Sequence, residues 1–253
     1  MCNDYTPSKR EAVADLFDLE PPEIDWSGEA FQDRTAPIIR LNEAGRRECL
    51  VGTFGFVPQK HKPPAVKRLT TMNARAETLG EKRTFAPYWR KGNVCLLPAS
   101  SVFEPNYEAN GPSGPSIRYR IWLRDQADFA IAGMWRDWRN PDGSLDQYSF
   151  TLITLNADEH PVFNRMHKPF EADGVTPEEK RGVVMLHREF WDDWLACRDP
   201  DRARTFLNLY PASLMDCEPA PVPPRKKKLG GLQKTGEEAR LGMQGQSDLF
   251  HQG

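Results

Sequence analysis

IRYRIWL (117–123), FAIAGMW (129–135) and YSFTLITL (148–155) follow one another in the middle of the chain, each with the length and composition of a β-strand. In the first, Ile117, Tyr119, Ile121 and Leu123 alternate with Arg118, Arg120 and Trp122, the period of a strand with one buried face. Between the second and third, Asn140-Pro141-Asp142-Gly143 is a strong turn signal. Further strands are expected at 37–41, 49–57, 94–97 and 183–186. Helical signals are sparser. Ser8 and Glu11 have capping-box spacing ahead of Val13, Leu16 and Phe17, residues 188–197 carry Phe190, Trp191, Trp194 and Leu195 at helical spacing, and Asp199-Pro200 opens another helix. The fold class this predicts is α+β: a single sheet-rich, partly barrel-like core with a few flanking helices.

The chain has 253 residues, with 34 Lys and Arg against 36 Asp and Glu, a formal charge of −2. That balance argues against a surface coated in cations for bulk nucleic-acid binding, while leaving room for a local basic groove. There is no long apolar run and no apolar leader after Met1, so neither a membrane span nor a secretory signal is expected. The five cysteines, Cys2, Cys49, Cys95, Cys197 and Cys217, form no CxxC pair, and the histidines show no HExxH spacing. A disulfide framework and a metal site are therefore not expected, nor any cofactor, and the compartment is read as a reducing cytoplasm.

Composition changes near residue 211, where PAPVPP, Arg225–Lys228 and Gly230-Gly231 lead into a polar stretch. The expected division is a body over 1–210 and a flexible tail over 211–253 with too little apolar surface to offset its ordering entropy.

The start of the chain carries distinctive chemistry. Removal of Met1 would leave Cys2 with a free α-amine beside its thiol. Such an aminothiol condenses with an aldehyde to an imine, and the thiol then closes a five-membered thiazolidine. An α-amine with a reference pKa of about 7.7–8.0 is partly neutral, and so nucleophilic, near neutral pH.

Three other segments join Cys2: NARAE (73–77), PASSVFE (98–104) and NADEHPVFNRMHKP (156–169). Together, in this order, they resemble the SOS response-associated peptidase family, from Cys2 to about Leu186. The resemblance implies a protein that shields abasic sites in single-stranded DNA by a covalent thiazolidine crosslink, with autopeptidase-type exposure of Cys2 and an associated lyase activity. It implies that Asn73 orients the N-terminus or the sugar, that Arg75 holds a phosphate, and that Glu104 relays protons. His167 would be the general acid that opens the sugar ring, with His160 its rival. Arg181 joins the DNA contacts on the same basis. Many family members have arginine where this chain has Asp4, and tryptophan where it has Pro105. The first change either weakens a phosphate contact or is compensated by another cation, and the second removes a stacking platform. Trp89, with Arg90 and Lys91 beside it, is the candidate for stacking on nucleic acid. Lys60, Lys62, Lys67 and Arg68 either line the DNA groove or form a solvated loop.

Near the end, Gln246-Ser247-Asp248-Leu249-Phe250 resembles the peptide by which bacterial repair proteins bind the sliding clamp, Gln246 hydrogen-bonding while Leu249 and Phe250 fill an apolar pocket. The expected partners are thus abasic single-stranded DNA and the clamp, engaged by a nucleoid-associated monomer. A cysteine peptidase or amidohydrolase built on Cys2, Glu104 and His167, and a non-catalytic clamp-tethered DNA-binding module, are the alternatives.

Overall fold

The structure is a computed structural model and describes residues 2–67, 69–171 and 173–222. Its elements, in chain order, are β1 (Asp4–Pro7), α1 (Arg10–Phe17), β2 (Thr35–Leu41), β3 (Arg47–Phe54), β4 (Asn73–Arg75), α2 (Ala86–Arg90), β5 (Val94–Asn106) and β6 (Ile117–Leu123). They continue with β7 (Phe129–Arg139), β8 (Leu145–Asn156), β9 (Arg181–Val183), β10 (Met185–Leu186), α3 (Trp191–Ala196), α4 (Pro200–Thr205) and β11 (Met215–Pro219). No helix among the described residues is long and apolar enough to cross a membrane.

β7, β8, β3, β2 and β5 are hydrogen-bonded in that order, and β5 pairs back with β7, so five strands close into a barrel. Closure buries both faces of each strand, which is why Ile38 and Ile39, Leu96 and Leu97, and Leu152 and Ile153 are all buried as adjacent pairs. One member of each pair packs inside the barrel with Tyr5, Phe54, Phe129 and Phe150. The other packs outside against α1, α2 and α3 through Phe17, Trp89, Trp191 and Trp194. Gly133 is required where β5, β7 and β8 crowd together. A Cβ there would lie 2.7 Å from a Leu97 methyl group and 3.0 Å from the Thr151 carbonyl oxygen.

The expected turn connects β7 to β8, with Gly143 at φ +84° and Asn140 N–H donating to Ser144 O at 2.9 Å. Asp199 caps α4, its side chain accepting from the N–H of Asp201 and of Arg202. Elsewhere the structure departs from expectation. Ser8 does not cap α1: its backbone N–H donates to Pro98 O, its carbonyl accepts from Trp26 Nε1, and Lys9 is the N-cap residue. β5 runs on past Pro98, because at Pro98–Ala99 it leaves β7 and takes up β1, then β6. The run 183–186 is split, since Val184 bridges between Ile153 of β8 and Ala132 of β7. Residues 215–219 were expected in the tail but form β11, paired along β6 from Met215–Leu123 to Pro219–Tyr119. Gln246, Leu249 and Phe250 lie outside the described residues, as do Arg225–Lys228 and Arg68.

Candidate active site

β1 starts just after Cys2 and runs antiparallel to β5 with Asp4 opposite Phe103, which lays the start of the chain beside Glu104. Cys2 is buried, and its thiol donates to the Asp4 carbonyl at 3.3 Å. Burial pushes that thiol well above its ordinary pKa, and the charge of Glu104 pushes it further the same way. Asn73 is fixed by the parallel pairing of β4 with β8, where it stands opposite Leu152. Its Nδ2 donates to the Cys2 carbonyl at 2.6 Å.

Glu104 is 1% exposed near the end of β5, and a carboxylate so buried needs a compensating partner. His167 places Nε2 3.0 Å from its Oε2. The loop after β8 delivers His167 there because its backbone N–H donates to Pro105 O at 2.6 Å, next to Glu104 on β5. Both carboxylate oxygens of Glu104, together with Asn73 Oδ1 and Asp4 Oδ1, are buried acceptors with no hydrogen-bond partner among the described residues. Unpaired acceptors are rare in folded proteins, and four of them belong to residues gathered around Cys2. Four residues drawn from the N-terminus, β4, β5 and the post-β8 loop thus converge on one place.

His160 is held differently. Its Nε2–H donates to Tyr210 O at 2.9 Å, and its Nδ1 accepts from Val162 N–H at 3.3 Å and Phe163 N–H at 3.2 Å. Both ring nitrogens are spent on the backbone.

The acid at position 4 is compensated. Arg118 on β6 donates through Nε and Nη2 to Asp4 Oδ2 at 3.1 and 2.5 Å, pairs with Glu29, and lies over the Phe103 ring. Even so, burial lifts the Asp4 carboxyl to about 6 against the pull of Arg118. In sequence Arg118 is one polar member of an alternating strand; the register that sets it opposite Pro105 is invisible before the sheet is known.

The expected DNA contacts divide. Arg75, Arg90 and Lys67 are exposed, Arg75 pairing with Glu179 at 2.9 Å and Arg90 donating to Gly80 O at 2.8 Å. Trp89 is 2% exposed, packed against Trp194 and below Arg204, so it offers no face for a base. Arg181 is likewise 2% exposed, its guanidinium held by Glu77, Glu179 and the Thr154 carbonyl, which excludes it from direct phosphate contact. Burial raises and the Arg181 hydrogen bonds lower the Glu77 carboxyl, and the net shift is downward. Arg181 is therefore held behind Glu77 and Glu179, which themselves reach the surface. A cleft of about 560 Å³ opens beside His167, lined in part by Tyr107, Asn164, Arg165 and Lys180.

Residues 1–224 match the family described as SOS response associated peptidase (SRAP). The chain belongs to that family. Among its SRAP relatives, the abasic site processing protein YoqW of Bacillus subtilis is 33% identical over 168 residues, covering 64% of this chain and 65% of YoqW. The chain therefore spans slightly less than two thirds of the length of that relative. The abasic site processing protein YobE of the same organism is 32% identical over 223 residues, 85% of this chain and 92% of YobE. A crystal structure of a protein from Bordetella bronchiseptica superposes with a TM-score of 0.74 at 28% identity, over 87% of this chain and 100% of that one.

Proposed function

We propose that this SRAP protein captures abasic sites in single-stranded DNA as a covalent thiazolidine on Cys2, once self-processing has removed Met1. The observation that carries this reading is the convergence of Asn73, Glu104 and His167 on the start of the chain, in relatives of proteins named for abasic site processing.

The chemistry runs as follows. His167 donates a proton to the ring oxygen of the abasic sugar, which opens to the aldehyde. The Cys2 α-amine adds to the aldehyde carbon, and Glu104 shuttles the proton that lets the carbinolamine hydroxyl leave as water, forming the imine. The Cys2 sulfur then bonds to the same carbon while the C=N electron pair moves to nitrogen, which takes up the thiol proton. One water is released overall, and no oxidant is needed. Asn73 holds the Cys2 carbonyl, so the amine and thiol approach from a fixed backbone.

The upward shift of the Cys2 thiol suits this order of events. A thiol kept protonated does not attack first, and it brings to ring closure the proton that nitrogen requires. The same shift runs against a peptidase nucleophile, which works as a resting thiolate. Ring closure consumes the imine, whose alternative fate is β-elimination of the 3′ phosphate, so lyase activity is a side branch. Arg75, Arg90 and Lys67 are the exposed cations for flanking phosphates. The monomer acts at the nucleoid, tethered to the sliding clamp by Gln246, Leu249 and Phe250; deletion of 246–250 is expected to abolish clamp pulldown, and unchanged capture would remove the tether.

Incubation with single-stranded DNA bearing one abasic site, followed by a denaturing gel, tests the crosslink. The intact protein should give a shifted band and Cys2→Ala none. A band of equal strength from Cys2→Ala would overturn the mechanism.

A further inference from the structure

His167 has φ +62°, the left-handed region, where the side chain of a residue other than glycine meets the backbone at a cost of about 1–2 kcal/mol. Something must hold it there. On one side its N–H is anchored to Pro105 O on β5. On the other, Lys180 Nζ donates to three successive carbonyls, Met166 O at 2.9 Å, His167 O at 3.3 Å and Lys168 O at 2.5 Å. An ammonium has three donors and no acceptor, so the three carbonyls of this turn use its whole capacity. They turn their negative ends toward one point, an arrangement that repels itself unless a cation sits at the focus. Lys180 is in turn rooted, because its backbone N–H donates to Asp158 Oδ1 at 2.7 Å and the next residue, Arg181, is the buried arginine that begins β9.

We propose that Lys180 is the positioning residue of the site: its ammonium fixes the left-handed turn at His167 and thereby aims the imidazole at Glu104. Burial lowers the lysine pKa against the opposing charges of Glu178 and Asp158, in keeping with an ammonium drawn into the turn rather than displayed to solvent. Lys180 also borders the cleft beside His167. A direct phosphate contact is therefore the competing role, and the two are separable. A positioning residue acts on the maximal rate, whereas a phosphate contact acts on DNA affinity.

The reaction arm of the test rests on the abasic-site reading; the second arm does not. Lys180→Met, Lys180→Gln and Lys180→Arg are compared in single-turnover crosslinking, with thermal melting as the control for folding. Lys180→Met is expected to lower the maximal rate by about ten- to a hundred-fold through misplacement of His167. Its half-saturating DNA concentration should stay within about two-fold of wild type, and Lys180→Arg should recover most of the rate. In the DNA-free protein, the NMR signals of the His167 imidazole should be displaced in Lys180→Met and those of His160 should not.

A folded Lys180→Met protein with wild-type His167 imidazole signals, or one whose loss lies wholly in half-saturating DNA concentration, would overturn the proposal. Should Lys180→Met fail to fold, Lys180→Gln carries both arms. Failure of both to fold would make Lys180 a stability residue and likewise overturn it. If the wild-type protein forms no adduct, the abasic-site reading fails, and the imidazole signals still decide the role of Lys180.

Discussion

His160 and His167 stand in one loop and make opposite kinds of contact. His160 gives both ring nitrogens to the backbone, joining the start of that loop to Tyr210. His167 places Nε2 3.0 Å from the buried carboxylate of Glu104 on β5. A second division separates Arg181, buried under Glu77 and Glu179, from Arg75, which lies exposed at the edge of the same strand cluster. Residue type is shared within each pair, so type alone does not assign the role. For the histidines the partner separates the two, backbone in one case and the carboxylate beside Cys2 in the other; the two arginines share Glu179, and burial separates them.

That contrast can be broken at several points. The largest effect is expected at Trp89, which belongs on the structural side. Trp89→Ala should destabilise the protein by about 3–5 kcal/mol in urea denaturation, the range for emptying a core aromatic. Unchanged stability with weakened DNA binding would return Trp89 to the DNA surface. Next come the histidines, taken as a pair. His167→Ala should slow adduct formation about a hundred-fold, roughly 2.7 kcal/mol of barrier, while leaving the melting transition near wild type. His160→Ala should do the reverse, costing about 1–2 kcal/mol of stability for its lost hydrogen bonds with a rate within about three-fold of wild type. An exchange of these two phenotypes would invert the assignment. The smallest effect is expected at Arg75, whose removal in Arg75→Ala should weaken binding to all single-stranded sequences by about 1 kcal/mol and reduce the salt dependence by roughly one phosphate contact. A salt dependence identical to wild type would show that Glu179 keeps Arg75 from the DNA.

Much of the barrel was legible beforehand, because strands buried on both faces must be written in long apolar runs such as those of β7 and β8. The short strands were not. β4 holds three residues and β1 four, and each is a strand through its pairing with β8 or β5 rather than by its own pattern. β11 was hidden by flanking prolines that made it read as tail. Pro98 and Pro105 concealed the continuation of β5, since a proline ordinarily marks a strand end and here marks an exchange of partners. Of the site, Cys2, Asn73, Glu104 and His167 were named from their motifs, and the structure brings them together. Lys180 and Arg118 were missed for a common reason. Each acts through a contact distant in sequence, and a lysine or arginine in an isolated segment looks the same whether it meets solvent, a carboxylate or a ring of carbonyls.

The central claim is that the bond to DNA forms at the N-terminal end of a chain that begins with Cys2. Mass spectrometry of the protease-digested adduct with an abasic oligonucleotide addresses it most directly. The account predicts one modified peptide, starting at Cys2 and lacking Met1, with the mass of peptide plus sugar fragment less one water and without a free thiol on Cys2. A modification mapped to any other residue, or to a peptide that retains Met1, would contradict it.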